Sequence, residues 1–166
     1  MNLSDGRSIV AIDPTARGIA FVFFENGEVM DWGERLRTRD EKNELRIVDR
    51  LIDGCAADVL VLEDPDAEMS KRRMRVTALL RTIAQHARRR GIAVIAVERD
   101  DVRQAWLARG IANKEAVAAV IAERFPELSP IVPAKRKAGY TEDPRANIFD
   151  AASLALHAFN DSRAIP

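Results

Sequence analysis

Four oxygen-bearing side chains stand out against apolar surroundings. Asp13 closes the run "RSIVAID" and is followed by a proline. Glu63 closes "VLVLE". Asn147 and Asp150 lie three apart in "RANIFDAASLALHAF", residues 145–159, where ten of fifteen residues are Ala, Ile, Leu or Phe. Carboxylates brought together repel one another, so a cluster of them is costly unless a cation holds it. Oxygen-only donors suit Mg²⁺ or Mn²⁺. Two histidines and one cysteine, Cys55, argue against a zinc centre. Each group also has an ordinary reading. Asp before Pro opens turns, a Glu at a strand end meets solvent, and Asp150 can belong to a wet stripe with His157 and Asp161. The joint pattern weighs more than any one acid.

The elements that must position these groups follow from the apolar patterning. "RSIVAID" reads as a strand ending in a turn. "GIAFVFF" is a continuous apolar run, as in a strand covered on both faces. "ENGE" places Asn-Gly between two strand-like runs, a two-residue hairpin signal, and "VMDWGERLR" alternates as a half-exposed strand does. A helix follows, with Leu45, Val48, Leu51 and Ile52 at helical spacing. "ADVLVLED" and "GIAVIAVE" are expected as buried strands. Between them, residues 68–90 read as a helix with Met74, Leu79, Leu80 and Ile83 on its apolar stripe. "DDVRQAWLA" and "KEAVAAVIAERF" read as helices, the second stopped by Pro126. Residues 129–144 carry three prolines and read as a loop, and 145–159 as a closing helix. The order β-β-β-α-β-α-β-α-α-α predicts an α/β fold with a mixed five-stranded sheet flanked by helices. Strands 1–3 are antiparallel, and 4 and 5 parallel. If strands one and four are parallel neighbours, Asp13 and Glu63 emerge side by side at their carboxyl ends, where open α/β sheets place ligands. The closing helix could bring Asp150, with Asn147 at i−3, to the same point.

The chain has 166 residues, 47% of them hydrophobic, which suits a single domain over 1–166 with a core of its own. One cysteine rules out an internal disulfide framework and fits a reducing compartment. No run approaches the ~18 apolar residues of a membrane span, and "MNLSDGRSIVAID" has no signal-peptide core. A cytoplasmic protein without membrane contact is expected. Net charge is zero, yet residues 68–90 hold eight Lys/Arg against one Glu. Such blocks can bind phosphates locally. Lys71, Arg72, Arg73 and Arg75 form a candidate phosphate track. Lys114 follows the candidate N-cap Asn113, where the helix dipole, the free N–H groups and the ammonium would all face an anion. Arg17, after Asp13, and Lys135, Arg136 and Lys137, before the last helix, are further candidates. Trp32 and Trp106 fall in periodic apolar segments and are expected in a core or a dimer contact.

"IVAIDPTARGIAFVFF", "DVLVLED", "VERDDVRQAWLARGIANKEAVAAVIAERF" and "NIFDAASLALHAF" resemble, in order, segments of the RuvC-type Holliday-junction endonucleases. These belong to the ribonuclease H-like superfamily. The resemblance implies a ribonuclease H-like fold and catalytic acids at Asp13, Glu63 and Asp150, with Asn147 where the family carries a further acid. It also implies phosphodiester hydrolysis of branched DNA, a four-way junction, with two Mg²⁺ (or Mn²⁺) ions on the order of 4 Å apart, 5′-phosphate products and a homodimer. Asp13 would bridge the ions, with Glu63 and Asp150 holding one each. Two positions depart from the pattern. Asn147 brings a carbonyl oxygen but no charge, and Asp66 stands where the family often has an aromatic that stacks on a junction base. Two other readings stay open. One is a ribosomal-RNA maturation nuclease of the YqgF type; the other is a catalytically silent nucleic-acid-binding module.

Overall fold

The computed structural model describes residues 6–36, 40–68, 73–134 and 143–159. Its elements are β1 (Ser8–Pro14), β2 (Gly18–Glu25), β3 (Glu28–Leu36), α1 (Glu41–Gly54), β4 (Val59–Glu63), α2 (Met74–Arg89), β5 (Ala93–Val97), α3 (Arg99–Leu107), α4 (Lys114–Arg124), a 3₁₀ turn over Pro126–Ile131, and α5 (Ala146–Ala158). The five strands make one sheet in the order β3-β2-β1-β4-β5. β1, β2 and β3 pair antiparallel; β1, β4 and β5 run parallel. The expected mixed sheet is present.

Central position explains the continuous apolar runs. β1 lies between β2 and β4, so successive side chains enter opposite layers and both must be apolar. Ile9 and Ala11 face one core with Val59, Val61, Trp106, Phe149 and Leu154. Val10 and Ile12 face the other with Leu60, Leu62, Val48, Leu80 and Ile83. Helices α3, α4 and α5 cover the first face; α1 and α2 cover the second. The β2–β3 hairpin turns at Asn26 and Gly27, both with positive φ (53° and 83°). Those are the backbone angles that make Asn-Gly the preferred pair there.

Three expectations need correction. β5 is partly exposed rather than buried, because it forms the edge of the sheet. The basic segment does not enter its helix at residue 68. α2 starts at Met74, with Arg73 extended before it (φ −63°, ψ 140°). Met74 is 89% exposed; Val76 takes its place in the stripe with Leu79, Leu80 and Ile83. Two residues from Val76, Met74 lies about 200° around the helix, facing away from the sheet. Finally, residues 129–131 belong to the 3₁₀ turn, whose Leu128 is buried. Among the described residues no helix is long and apolar enough to cross a membrane.

A polar clamp joins the two helices on the second face. Asp49 of α1 meets His86 Nε2 at 2.7 Å and accepts a hydrogen bond from Arg90 at the end of α2; Arg90 also reaches Asp53. Burial opposes ionisation of Asp49, but the bonds from His86 and Arg90 outweigh it and hold the carboxyl below its ordinary value of 3.8. A carboxyl depressed on folding stabilises the fold above its unfolded value and loses that contribution as pH falls through its folded value. Asp49→Asn is therefore expected to cost up to about 1 kcal/mol at pH 7. That difference should shrink as pH falls below the ordinary value of 3.8 and through the lower folded value, in urea denaturation of both proteins across the acid range.

Candidate active site

Two acids come from the ends of adjacent parallel strands. The β1–β4 register pairs Ile9 with Val59 and Ala11 with Val61. Two residues further, Asp13 and Glu63 leave the strands on the same face as those pairs, since strand side chains alternate with period two. That is the face covered by α3, α4 and α5. Asp13 and Glu63 are each 1% exposed. Beyond Asp13 the chain reverses through Thr15, whose hydroxyl accepts from the Gly18 N–H at 3.1 Å. Gly18 is required there, because a Cβ would stand 2.8 Å from the carbonyl oxygen of Arg35. The third acid comes from α5. Its small and apolar residues, Ala151, Ala152, Leu154 and Ala155, are buried. Packed so closely, α5 carries Asp150 over the strand ends with its side chain 18% exposed.

The three acids meet on one cation. Arg99, the first residue of α3, lies two residues past the end of β5 at the same sheet edge. Its Nε donates to Glu63 Oε2 at 2.8 Å, its Nη2 to Asp13 Oδ1 at 2.9 Å, and its Nη1 to Asp150 Oδ2 at 3.4 Å. The last contact is the longest. Lys114 Nζ, from the first turn of α4, donates to the same Asp150 oxygen at 3.0 Å. Burial alone would make Arg99 less basic, but the charges of Asp13, Asp150 and Glu63 outweigh it and raise its basicity above the ordinary arginine value. Beside the cluster lies a cavity of about 570 Å³. Arg99, Trp106, Lys114, Phe149 and Asp150 contribute to its wall.

The other candidate residues are distributed unevenly. Asn147 is half-buried one turn before Asp150. Asn113 caps α4 as expected, accepting from the Ala116 N–H at 2.8 Å, but Lys114 turns its ammonium to Asp150. Arg17 is exposed in the turn after Asp13. Arg73 and Arg75 are exposed at the start of α2, on the side of the sheet away from the acids. Lys71, Arg72, Lys135, Arg136 and Lys137 lie outside the described residues. Asp66 accepts a hydrogen bond from Arg81 of α2 at 2.8 Å. Trp106 is buried and Trp32 partly buried against the first core.

Arg99 is the residue that sequence reasoning missed. Its signal was positional: it lies two residues past the end of β5, in "AVERDD", at the carboxyl edge where the two strand-end acids emerge.

Comparison with solved structures bears on the whole arrangement. Thermus thermophilus RuvC superposes with a TM-score of 0.61 at 18% identity, over 95% of this chain and 97% of that one. The yeast mitochondrial Holliday junction resolvase gives 0.62 at 10% identity, over 93% and 78%. The fold is ribonuclease H-like. Fowlpox virus resolvase, solved with its substrate Holliday junction DNA, gives 0.51 at 16% identity, over 92% and 97%. No protein-family model matches the sequence, and no curated protein matches it.

The donor chemistry suits a hard divalent cation: carboxylate oxygens from three elements, with two of the acids sealed from water. As they stand, no three Asp, Glu, His or Cys side chains among the described residues are grouped as a metal cage. The guanidinium of Arg99 stands among the acids instead. Removing one partner from a buried ion pair strands the other charge. Arg99→Met is therefore expected to lower stability by about 2–4 kcal/mol in EDTA at pH 7. In an Asp13→Asn background the same change should cost at least about 1 kcal/mol less. Urea denaturation of the four proteins closes the cycle, and additive costs would deny the coupling.

Proposed function

We propose that this protein is a divalent-metal-dependent endonuclease that hydrolyses phosphodiester bonds of branched DNA, four-way junctions in particular. The observation that carries this reading is the meeting of Asp13, Glu63 and Asp150, from β1, β4 and α5, on one cation. Three convergent acids, two of them fully buried, are costly to keep for the fold alone. They make chemical sense where a positive centre must be held against a phosphate.

Asp13, Glu63 and Asp150 would hold the metal, with the carbonyl oxygen of Asn147 as a neutral fourth donor. The chemistry that bound Mg²⁺ or Mn²⁺ supplies is activation of water and stabilisation of charge on the phosphate and leaving oxygen. The rest falls to the protein's own groups. Burial of the two strand-end acids fixes their positions before substrate arrives. Lys114, on the amino end of α4, can release Asp150 and meet a backbone phosphate where the helix dipole favours an anion. Arg17, Arg73 and Arg75, with Lys71, Arg72, Lys135, Arg136 and Lys137, would add contacts that position the duplex without reading bases. The fold likeness to resolvases, fowlpox virus resolvase among them with its junction DNA, supports a branched substrate; 5′-phosphate products and a homodimer that nicks two strands are what the sequence resemblance implies.

A second reading rests on Arg99. If its guanidinium occupies the acids permanently, the protein is a nucleic-acid-binding module without catalysis. Labelled four-way junction, linear duplex and structured RNA, each incubated with Mg²⁺ and with Mn²⁺, separate the possibilities. The expected result is junction nicking that Asp13→Asn lowers by more than about 100-fold while junction binding persists. Preferential cleavage of the RNA would indicate an RNA-maturation enzyme. Inactivity of the wild type with both metals would support the module.

A further inference from the structure

We infer that Arg99 is a resident counter-ion that competes with divalent metal for the three acids, and that a DNA phosphate draws it away. This inference rests on the endonuclease reading for its biological setting, but its physical content is separate. One planar guanidinium uses three nitrogens for three carboxylates on three different elements. It fills the space the acids share. Mg²⁺ needs oxygens at about 2.0–2.1 Å. Carboxylates held apart by a guanidinium at 2.8–2.9 Å cannot close to that distance around a common ion. Metal and arginine therefore exclude one another.

The exchange has a direction. The Arg99 side chain is 37% exposed, whereas those of Asp13 and Glu63 are 1% and 2% exposed. The cation is on the solvent side of the acids and can leave without the acids moving. Its weakest contact, at 3.4 Å, is to Asp150, which Lys114 already shares. The cavity beside it, with Arg99 in its wall, gives the side chain somewhere to go.

A guanidinium does not leave three carboxylates without a new anion. Phosphate is the matching one, because its oxygens accept two parallel N–H bonds as a carboxylate does. An arriving backbone phosphate would take Arg99, uncover the acids and admit the ion next to that phosphate. In the absence of DNA, Arg99 keeps the buried acids paired and keeps metal affinity low. By linkage, metal and DNA then raise one another's affinity.

Two measurements on the full chain test this. In the first, Mn²⁺ binding is read by the loss of the free-ion EPR signal in wild type, Arg99→Met and Arg99→Lys, all without DNA. Arg99→Met is expected to bind Mn²⁺ at least ~10-fold more tightly than wild type. Arg99→Lys, with one point contact in place of a fork, should fall between. Equal or weaker binding by both variants overturns the inference. If Arg99→Met does not fold, as circular dichroism reports, the lysine variant carries the test by the same comparison. In the second, junction binding with Ca²⁺ present, an ion that oxygen ligands also hold, is followed by anisotropy against salt concentration. Loss of the phosphate contact in Arg99→Met should reduce the slope of log K on log salt by about one, and an unchanged slope overturns the exchange. A wild type that cuts no junction, alongside tighter Mn²⁺ binding by the variants, would sink the nuclease reading and leave the competition standing. Junction cutting with equal Mn²⁺ affinities would do the reverse.

Discussion

Asp13 and Glu63 have about one per cent of their surface in water, and a charge so placed must have a partner. Removing a carboxylate from water costs several kcal/mol after relaxation, and attraction to a cation repays this only with good geometry. Arg99 provides that geometry by meeting both acids below 3 Å and Asp150 slightly beyond it. The rest of the fold can be understood as what brings these four side chains to one place. Parallel pairing of β1 with β4 sets two acids side by side. The crossover through α2 returns the chain to β5, so that Arg99 starts the next helix at the same edge. Small residues on α5 let it settle against the strands and hold Asp150 over them.

The two layers divide the work. The face with α1 and α2 is built for cohesion. Its core is aliphatic apart from the aromatic rings of β2, and its polar clamp of Asp49, His86 and Arg90 joins helix to helix. The face with α3, α4 and α5 carries the acids, the described cations Arg99 and Lys114 that touch them, and the cavity. Arg73 and Arg75, exposed at the start of α2, lie on the cohesive side. They could meet only nucleic acid that wraps past the sheet edge. On the endonuclease reading, Arg99 and Lys114 are the cations beside the acids that would meet a phosphate.

The fold was legible in the sequence wherever local chemistry and tertiary position agree. Asn26-Gly27 supplies the two positive-φ residues of its hairpin, and the unbroken apolar runs of β1, β2 and β4 match their burial. β5 departs from its expected burial because an apolar run does not say whether a strand is central or at the edge. Met74 is apolar yet 89% exposed because its angle around the helix, not its apolarity, decides which side it faces. Asp13, Glu63 and Asp150 could be picked out as acids ending or interrupting apolar segments. Arg99 could not be found that way. An arginine opening a helix is ordinary, and its partners lie 86, 36 and 51 residues away. Only the strand order makes them neighbours.

Three acids share one cation site, which Arg99 fills and which, on the proposed reading, a divalent ion takes in its turn. A crystal of the protein grown with Mn²⁺ and a short DNA, with data collected at the manganese edge, reads that site directly. The account predicts an anomalous peak bounded by Asp13, Glu63 and Asp150, with the Arg99 guanidinium withdrawn toward a phosphate. A map with DNA bound, Arg99 still lodged between the acids and no manganese there would contradict it.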